Sequence, residues 1–241
     1  MGQLRQGLII LFLAAISGCT SVPHEYRDAR DPWQGYNRVM FQFNQDLDNA
    51  FIRPLAQGYQ AITPEPVNRG VSNFFANIAD VNSAANNVLQ FKLSRAGNDV
   101  ARVIVNSTVG IGGLFDVATN MGMPSYKEDF GQTLGYWRVS EGPYIVLPLI
   151  GPSTMRDTLG LTGDMFLDPF FSAQRDEIYW SLFGLRIVDR RAGLLIATEI
   201  MEGAAIDRYS FVRDAYLQRR RHQIYDGNPP LDDHDAIFWD D

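Results

Sequence analysis

The 241-residue sequence has one cysteine and three histidines, so it is poor in the residues that form disulfides and metal sites. Cys19 has no partner for a bridge within the chain. His24 and His234 lie near the two ends and His222 lies in an arginine-rich stretch, so no spacing typical of a zinc site is present. Neither a Gly-x-Ser-x-Gly motif nor a phosphate-binding Gly-x-x-x-x-Gly-Lys motif occurs. The sequence therefore predicts no enzyme, metal or cofactor.

An excess of positive charge is also missing. Residues 19–225 hold 20 basic and 22 acidic side chains, and residues 226–241 hold six Asp with no Lys or Arg. Nucleic-acid binding requires a basic footprint, so we expect no nucleic-acid partner. The acidic segment 226–241 is predicted to be a disordered tail.

A long apolar run is found only at the N-terminus, where residues 7–16 follow Arg5. Ten residues are too few to span a bilayer but suit the apolar core of a secretion signal. Ile16-Ser17-Gly18-Cys19 resembles the bacterial lipobox, which implies cleavage after residue 18 and acylation of Cys19. Thr20, in place of Asp, points to the outer membrane in the lipoprotein sorting pattern. We therefore predict a signal peptide over 1–18 and a tether over 19–30.

The segment 31–225 is predicted to be a single all-α domain of many short helices. Asp31-Pro32 is typical of a helix start, and aromatic and apolar residues recur every three or four positions up to a kink at Pro54. Asp80 is expected to cap a helix that ends near Gln90, and Val100, Val103 and Ile104 are expected to face inward. Further helices are predicted over 94–108, 114–120, 129–139, 153–163 (capped by Ser153), 175–188, 190–203 and 207–225.

One uncharged segment, residues 142–152, breaks the helical pattern with three prolines. A continuous helix is excluded there, and we predict an apolar hairpin or loop. Adjacent large apolar residues, such as Phe74-Phe75 and Tyr179-Trp180, cannot all point into one core. They fit either a bundle of small helices or helices that lie flat in a bilayer and expose apolar residues to lipid.

Two charged clusters admit a structural and a functional interpretation. Glu128-Asp129 fits solvent-facing charges at a helix start better than a catalytic pair. Arg219, Arg220 and Arg221 fall in the last turns of a predicted helix, where they complement the helix dipole or contact lipid phosphates or an acidic partner.

Six motifs, in order, resemble the MlaA (VacJ) family of outer-membrane lipoproteins. They are Asp-Pro-Trp-Gln-Gly-Tyr-Asn-Arg at 31–38 with its continuation to 44, Arg-Gly-Val-Ser-Asn-Phe at 69–74, and the segments 106–116, 129–135, 142–148 and 207–216. The resemblance covers roughly residues 30–220 and is weaker over 164–200.

The resemblance implies a ring of short amphipathic helices in the membrane plane around a central amphipathic channel, bound to a trimeric porin. It implies extraction of mislocalised phospholipids from the outer leaflet and their transfer to a soluble periplasmic carrier. Phe43 and Asn44 match a region tied to control of the channel, although Gln45-Asp46 replaces a second Phe-Asn of the family. The hairpin near the pore matches at Gly142, Pro143, Tyr144, Leu147, Pro148 and Gly151, and we expect Tyr144 and Leu147 to face acyl chains.

Two alternatives remain at this point. A lipid-anchored envelope hydrolase acting on phospholipid or peptidoglycan would need an interior base or nucleophile. A purely structural lipoprotein would tether a porin without moving lipid.

Overall fold

The computed structural model describes residues 28–169, 176–204 and 206–230, and these are mainly helical, which confirms the predicted fold class. The predicted lipid-anchor site Cys19 lies outside the described residues. The helices are α1 (Gln34–Leu47), α2 (Arg53–Ile62), α3 (Glu65–Leu89), α4 (Leu93–Thr108), α5 (Val117–Asn120), α6 (Phe130–Tyr136), α7 (Met155–Leu167), α8 (Asp176–Gly193), α9 (Leu195–Ala204) and α10 (Arg208–Ile224). None of these helices combines the length and apolar character needed to cross a bilayer.

The predicted hairpin is confirmed and contains two short strands, which the helical reading of the sequence did not anticipate. β1 (Tyr144–Leu147) pairs antiparallel with β2 (Gly151–Thr154). Gly142 lies two residues before β1 and Gly151 is the first residue of β2; their φ angles are 65° and 97°. Glycine adopts this left-handed backbone conformation without a steric penalty.

Two helix starts, those of α1 and α7, differ from the prediction. Asp31 does not cap α1, which begins after Trp33 without a side-chain cap. Asp31 is instead buried and accepts a 2.8 Å hydrogen bond from Asn37 Nδ2. The cap of α7 is Thr154 rather than Ser153, because the Thr154 hydroxyl accepts from the Asp157 amide.

A π-helical turn, Asp48–Ile52, lies between α1 and α2, just before the kink predicted at Pro54. Pro54 is the second residue of α2, directly after the π turn, and the Arg53 amide before it still donates to the Asp48 carbonyl. The departure from regular α-helix therefore falls just before the proline.

The interface between α3 and α4 is polar. Helix α3 continues through Asp80, so the predicted helix start there is wrong; Asp80 is buried and accepts from Arg102 Nε at 2.9 Å. Ser83 donates to Asp99 at 2.7 Å, and Asn87 donates to the same carboxylate at 2.9 Å. These hydrogen bonds make burial of the polar groups tolerable, although the Asn87 Oδ1 and Asp99 Oδ1 atoms are buried without a hydrogen-bond partner among the described residues.

The apolar faces of the same helices point outward. Val100 and Ile104, predicted to face inward, are 49% and 58% exposed, whereas Asp99 and Arg102 of α4 are buried. Val88 and Leu93 at the α3–α4 corner are also exposed. This inside-out arrangement is unfavourable in water and favourable in lipid, because exposed apolar surface then contacts acyl chains.

An apolar core is present but small. It comprises Met40 of α1, Tyr144 and Val146 of β1, and Tyr209 and Leu217 of α10. It fixes the hairpin against the first and last helices of the described chain.

Candidate functional site

Two asparagines of α1 hold the hairpin. Asn37 accepts from the Val146 amide at 2.8 Å and donates to the Tyr144 carbonyl at 3.1 Å. Asn44 accepts from the Leu149 amide at 2.8 Å and donates to the Leu147 carbonyl at 2.9 Å. Each carboxamide thus pairs with a backbone N–H and a backbone C=O, as a neighbouring strand would.

The spacing of these asparagines matches the strand. Seven helical residues rise about 10.5 Å, and three residues of an extended strand span about 10 Å. The distance along α1 from Asn37 to Asn44 is therefore about the same as the distance along β1 from Tyr144 to Leu147. The structure thus brings together two segments that are about 100 residues apart in sequence.

The hairpin residues divide into a buried base and an exposed tip. Tyr144 is fully buried between Tyr209 and Tyr216, at ring distances of 6.3 and 6.2 Å, so the expectation that it faces acyl chains is wrong. Leu147 is half-buried, and Pro148 is exposed. Leu149 and Ile150, at the turn, are 69% and 64% exposed and form the apolar tip that sequence analysis left unassigned.

A cavity of about 240 Å³ opens beside the hairpin. The hairpin contributes Val146, Gly151 and Pro152, and α1 contributes Phe41 and Asn44. On the other side it is lined by Arg191 of α8, by Leu194 between α8 and α9, by Thr198, Met201 and Glu202 of α9, and by Val212 of α10. Both apolar and charged side chains thus reach one space, next to the residues that hold the hairpin.

A second cavity, of about 530 Å³, lies next to the first along α1. Both are lined by Phe41, Gln45 and Asn49. The second is polar, with Arg38 paired to Asp207 at 2.7 Å among its walls. Together they form an amphipathic groove along α1. Phe43 lies outside both linings and is 40% exposed.

This combination of an inside-out helical fold, a hairpin and an amphipathic groove has a match among known families. The MlaA lipoprotein family model matches residues 29–223. The chain belongs to the MlaA lipoprotein family.

Relatives of this MlaA-family chain align over most of their length. The intermembrane phospholipid transport system lipoprotein MlaA of Escherichia coli (strain K12) is 32% identical over 222 residues, which cover 90% of this chain and 87% of that protein. An uncharacterized protein of Rickettsia bellii (strain RML369-C) is 34% identical over 213 residues, covering 87% and 80%.

A solved structure also matches the MlaA-family fold. It was described in work on the structural basis for maintenance of bacterial outer-membrane lipid asymmetry. It superposes with a TM-score of 0.71 at 33% sequence identity, covering 84% of this chain and all of that one.

The predicted arginine cluster of α10 is divided by the fold. Arg219 is exposed and Arg221 is half-buried, its guanidinium donating to the Pro230 carbonyl at 2.5 Å. Arg220 is 6% exposed and binds Asp157 at 3.0 Å and Asp129, so it is unavailable for a carrier or headgroup. This corrects the prediction that all three arginines form one contact surface.

Electrostatics support a structural role for Arg220. Desolvation acts to raise the pKa of Asp129 and Asp157, but the hydrogen bonds and charge of Arg220 outweigh it, so both pKa values are lowered. Glu128, predicted to face water, is also buried; desolvation raises its pKa against a 3.0 Å hydrogen bond from Gln90.

Both predicted boundaries of the helical domain lie inside the ordered structure. Asp28 and Arg30, assigned to the tether, form a 2.8 Å ion pair, and the Arg30 carbonyl accepts from the Tyr144 amide. At the other end Asp226, assigned to the tail, bonds to Lys92 at 2.6 Å and to Arg95. The fold therefore extends beyond residues 31–225 on both sides.

Proposed function

We propose that this protein is an outer-membrane lipoprotein, attached through Cys19 at the periplasmic face, that removes mislocalised phospholipids from the outer leaflet. It passes them to a soluble periplasmic carrier, with a trimeric porin as its membrane partner. This activity maintains the lipid asymmetry of the outer membrane. The E. coli relative is named as the lipoprotein of an intermembrane phospholipid transport system, and the matched structure was described in work on outer-membrane lipid asymmetry. Both support the proposal.

The observation that carries the proposal is the inside-out helical fold around an amphipathic groove. Exposed apolar faces such as Val100 and Ile104 suit helices that lie in a leaflet. The groove offers apolar walls to acyl chains and charged walls, including Arg191 and Glu202, to headgroups. Movement of a lipid along such a groove breaks no covalent bond, in keeping with a transporter.

The hairpin is the gate in this mechanism. Its apolar tip carries Leu149 and Ile150, and its Gly151 and Pro152 line the groove. Asn44 latches the tip to α1 through two hydrogen bonds. Release of these bonds would let the tip swing about Gly151 and widen the groove, while the buried base at Tyr144 stays in place.

The test is to fill the groove. Met201 of α9 lines the cavity, whereas Ile200, its neighbour, is 68% exposed. Met201→Trp should reduce the phospholipid that co-purifies with detergent-extracted protein and should slow clearance of outer-leaflet phospholipid in cells, because the larger indole occupies the cavity. Ile200→Trp is the matched control and should leave both measurements unchanged.

Two outcomes would count against the proposal. Equal behaviour of the two tryptophan variants would remove the groove from lipid transport. Turnover of labelled phospholipid by the purified protein would instead favour a hydrolase.

A further inference from the structure

The charged side chains that line the groove are balanced in sign. Among the described residues, the two cavities are lined by three arginines and three carboxylates, namely Arg38, Arg191, Arg208, Asp48, Glu202 and Asp207. The residues that line both cavities, Phe41, Gln45 and Asn49, are uncharged. The described lining of the groove therefore has no net formal charge, although it is rich in charged groups.

Two of the ion pairs join different walls of the groove. Arg191 of α8 donates two parallel hydrogen bonds of 2.8 Å to Asp48, the first residue of the π turn. Arg38 of α1 donates hydrogen bonds of 3.2 and 2.7 Å to Asp207, the residue before α10. Both pairs have the forked arginine–carboxylate geometry, in which each charge is compensated by its partner.

The third arginine, Arg208, is held less closely. Its guanidinium lies 3.6 Å from Glu202, which also pairs with Arg53 of α2 at 3.3 Å. The side chains of Arg208 and Asp207 are 40% and 43% exposed, and both line the polar second cavity together with Arg38. Two cations and one carboxylate are thus open to the same space.

This pairing distinguishes anionic from zwitterionic headgroups. An anion that pairs with Arg38 displaces Asp207, and two negative charges then lie in one cavity, where they repel each other. A zwitterion also carries a cation, so its ammonium group pairs with the displaced carboxylate while its phosphate pairs with guanidinium groups. The number of contacts between opposite charges is then conserved.

We propose that the groove selects phospholipids with a zwitterionic headgroup, of the phosphatidylethanolamine class, over anionic phospholipids. The phosphate group binds Arg38 and Arg208, and the ammonium group binds Asp207. The acyl chains extend into the first cavity, along apolar residues such as Leu194 and Met201. The inference rests on the proposed function and names the class of lipid that the groove takes.

The test compares two phospholipids that share their acyl chains and differ only in the headgroup. Unlabelled phosphatidylethanolamine and phosphatidylglycerol compete with a chain-labelled fluorescent phosphatidylethanolamine for the full-length lipoprotein in nonionic detergent micelles. The wild type should bind phosphatidylethanolamine about two- to fivefold more tightly than phosphatidylglycerol, the range expected from one partly exposed ion pair.

Two variants should shift this affinity ratio in opposite directions. Asp207→Asn removes the carboxylate that receives the ammonium group and leaves Arg38 without its carboxylate, so the preference should disappear or reverse. Asparagine caps a helix as well as aspartate does, so the cap that Asp207 provides at the Tyr209 amide should be retained. Arg208→Gln gives the groove a net negative charge and should increase the preference.

Glu65→Gln is the matched control for charge in general. It removes the same charge from the exposed ion pair of Glu65 and Arg69, and neither of these described residues lines the groove. Its affinity ratio should equal that of the wild type. All three variants should unfold close to the wild-type temperature, because pairs as exposed as these contribute little to stability.

The outcomes are distinct. Equal affinity of the wild type for the two lipids, or an unchanged ratio in Asp207→Asn, would overturn the proposal and leave the ion pairs as links between helices. A weaker preference in Arg208→Gln, or a shift in Glu65→Gln equal to that in Asp207→Asn, would also overturn it. A wild-type protein that binds neither lipid would instead refute the proposed function.

Discussion

Replacement of Asn44 by alanine tests the latch between α1 and the hairpin. The change removes two hydrogen bonds, from the Leu149 amide and to the Leu147 carbonyl, both at the hairpin turn. Asn37 is untouched and continues to hold the Tyr144 carbonyl and the Val146 amide. We therefore expect the tip of the hairpin to loosen while its base stays folded.

The size of the effect follows from the number and exposure of these bonds. A typical hydrogen bond contributes a net 0.5–1.5 kcal/mol, so two bonds contribute about 1–3 kcal/mol. Leu149 is 69% exposed, and water can replace the lost partners there, which favours the lower end of this range. A loss of about 1.4 kcal/mol shifts the opening equilibrium of the tip about tenfold.

Hydrogen exchange reports the loss of this restraint, because the Leu149 amide donates to the Asn44 side chain that the change removes. In Asn44→Ala the Leu149 amide should exchange about tenfold faster than in the wild type, whereas the Val146 amide should keep its rate. Asn98→Ala is a matched control, because Asn98 also donates its side-chain amide to a backbone carbonyl, that of Pro124 at 2.7 Å. It should leave the hairpin unchanged.

Two results would refute the latch. An unchanged Leu149 rate would mean that Asn44 does not restrain the tip. Equal acceleration at Leu149 and Val146 would mean that the hairpin opens as a whole and that the division into base and tip is wrong. If the latch also controls transport, Asn44→Ala should alter phospholipid clearance in cells, and Asn98→Ala should not.

Three further predictions concern the anchor and the polar interior. Arg220→Gln should cost about 1.5–3 kcal/mol of unfolding free energy in chemical denaturation, since it leaves the half-buried Asp129 without its cation and the buried Asp157 with Arg156 alone. Arg219→Gln should cost little, and equal costs would contradict the structural role. Burial raises the pKa of Asp99 above its unfolded value, so the ionised carboxylate destabilises the folded state above the unfolded pKa, and this penalty is lost as the pH falls through the folded pKa. Asp99→Asn should therefore raise the unfolding temperature at pH 7 but not at pH 4. A difference that does not depend on pH would argue against this role of Asp99. Cys19→Ala should abolish lipid attachment and signal cleavage, and mature protein recovered in the outer membrane would disprove the anchor.

The sequence alone determines the local structure of this protein. Apolar residues at three- and four-residue steps predict the helices, and the prolines of 142–152 predict a non-helical segment there; both predictions are confirmed. These signals are local, because periodicity and backbone restriction depend on neighbours along the chain. The ordered motifs also led to the correct family.

Burial inside the domain is decided only by tertiary structure. Periodicity identifies two faces of α4 but does not say which one meets solvent, lipid or protein. We expected Val100 and Ile104 to face inward, and the fold turns them outward because Asp99 and Arg102 find their partners on α3 and beyond it. A rule derived for water-soluble proteins thus predicts the wrong face of α4.

Long-range partners are likewise invisible in the sequence. Arg220 looks like its neighbours Arg219 and Arg221, yet it alone is buried against two carboxylates. The resemblance alone predicts that Asn44 helps to control the channel. Only the fold shows that its side chain is hydrogen-bonded to the hairpin turn. Such contacts join residues 63 to 105 positions apart, and their energies depend on which groups meet in space rather than on which groups adjoin in the chain.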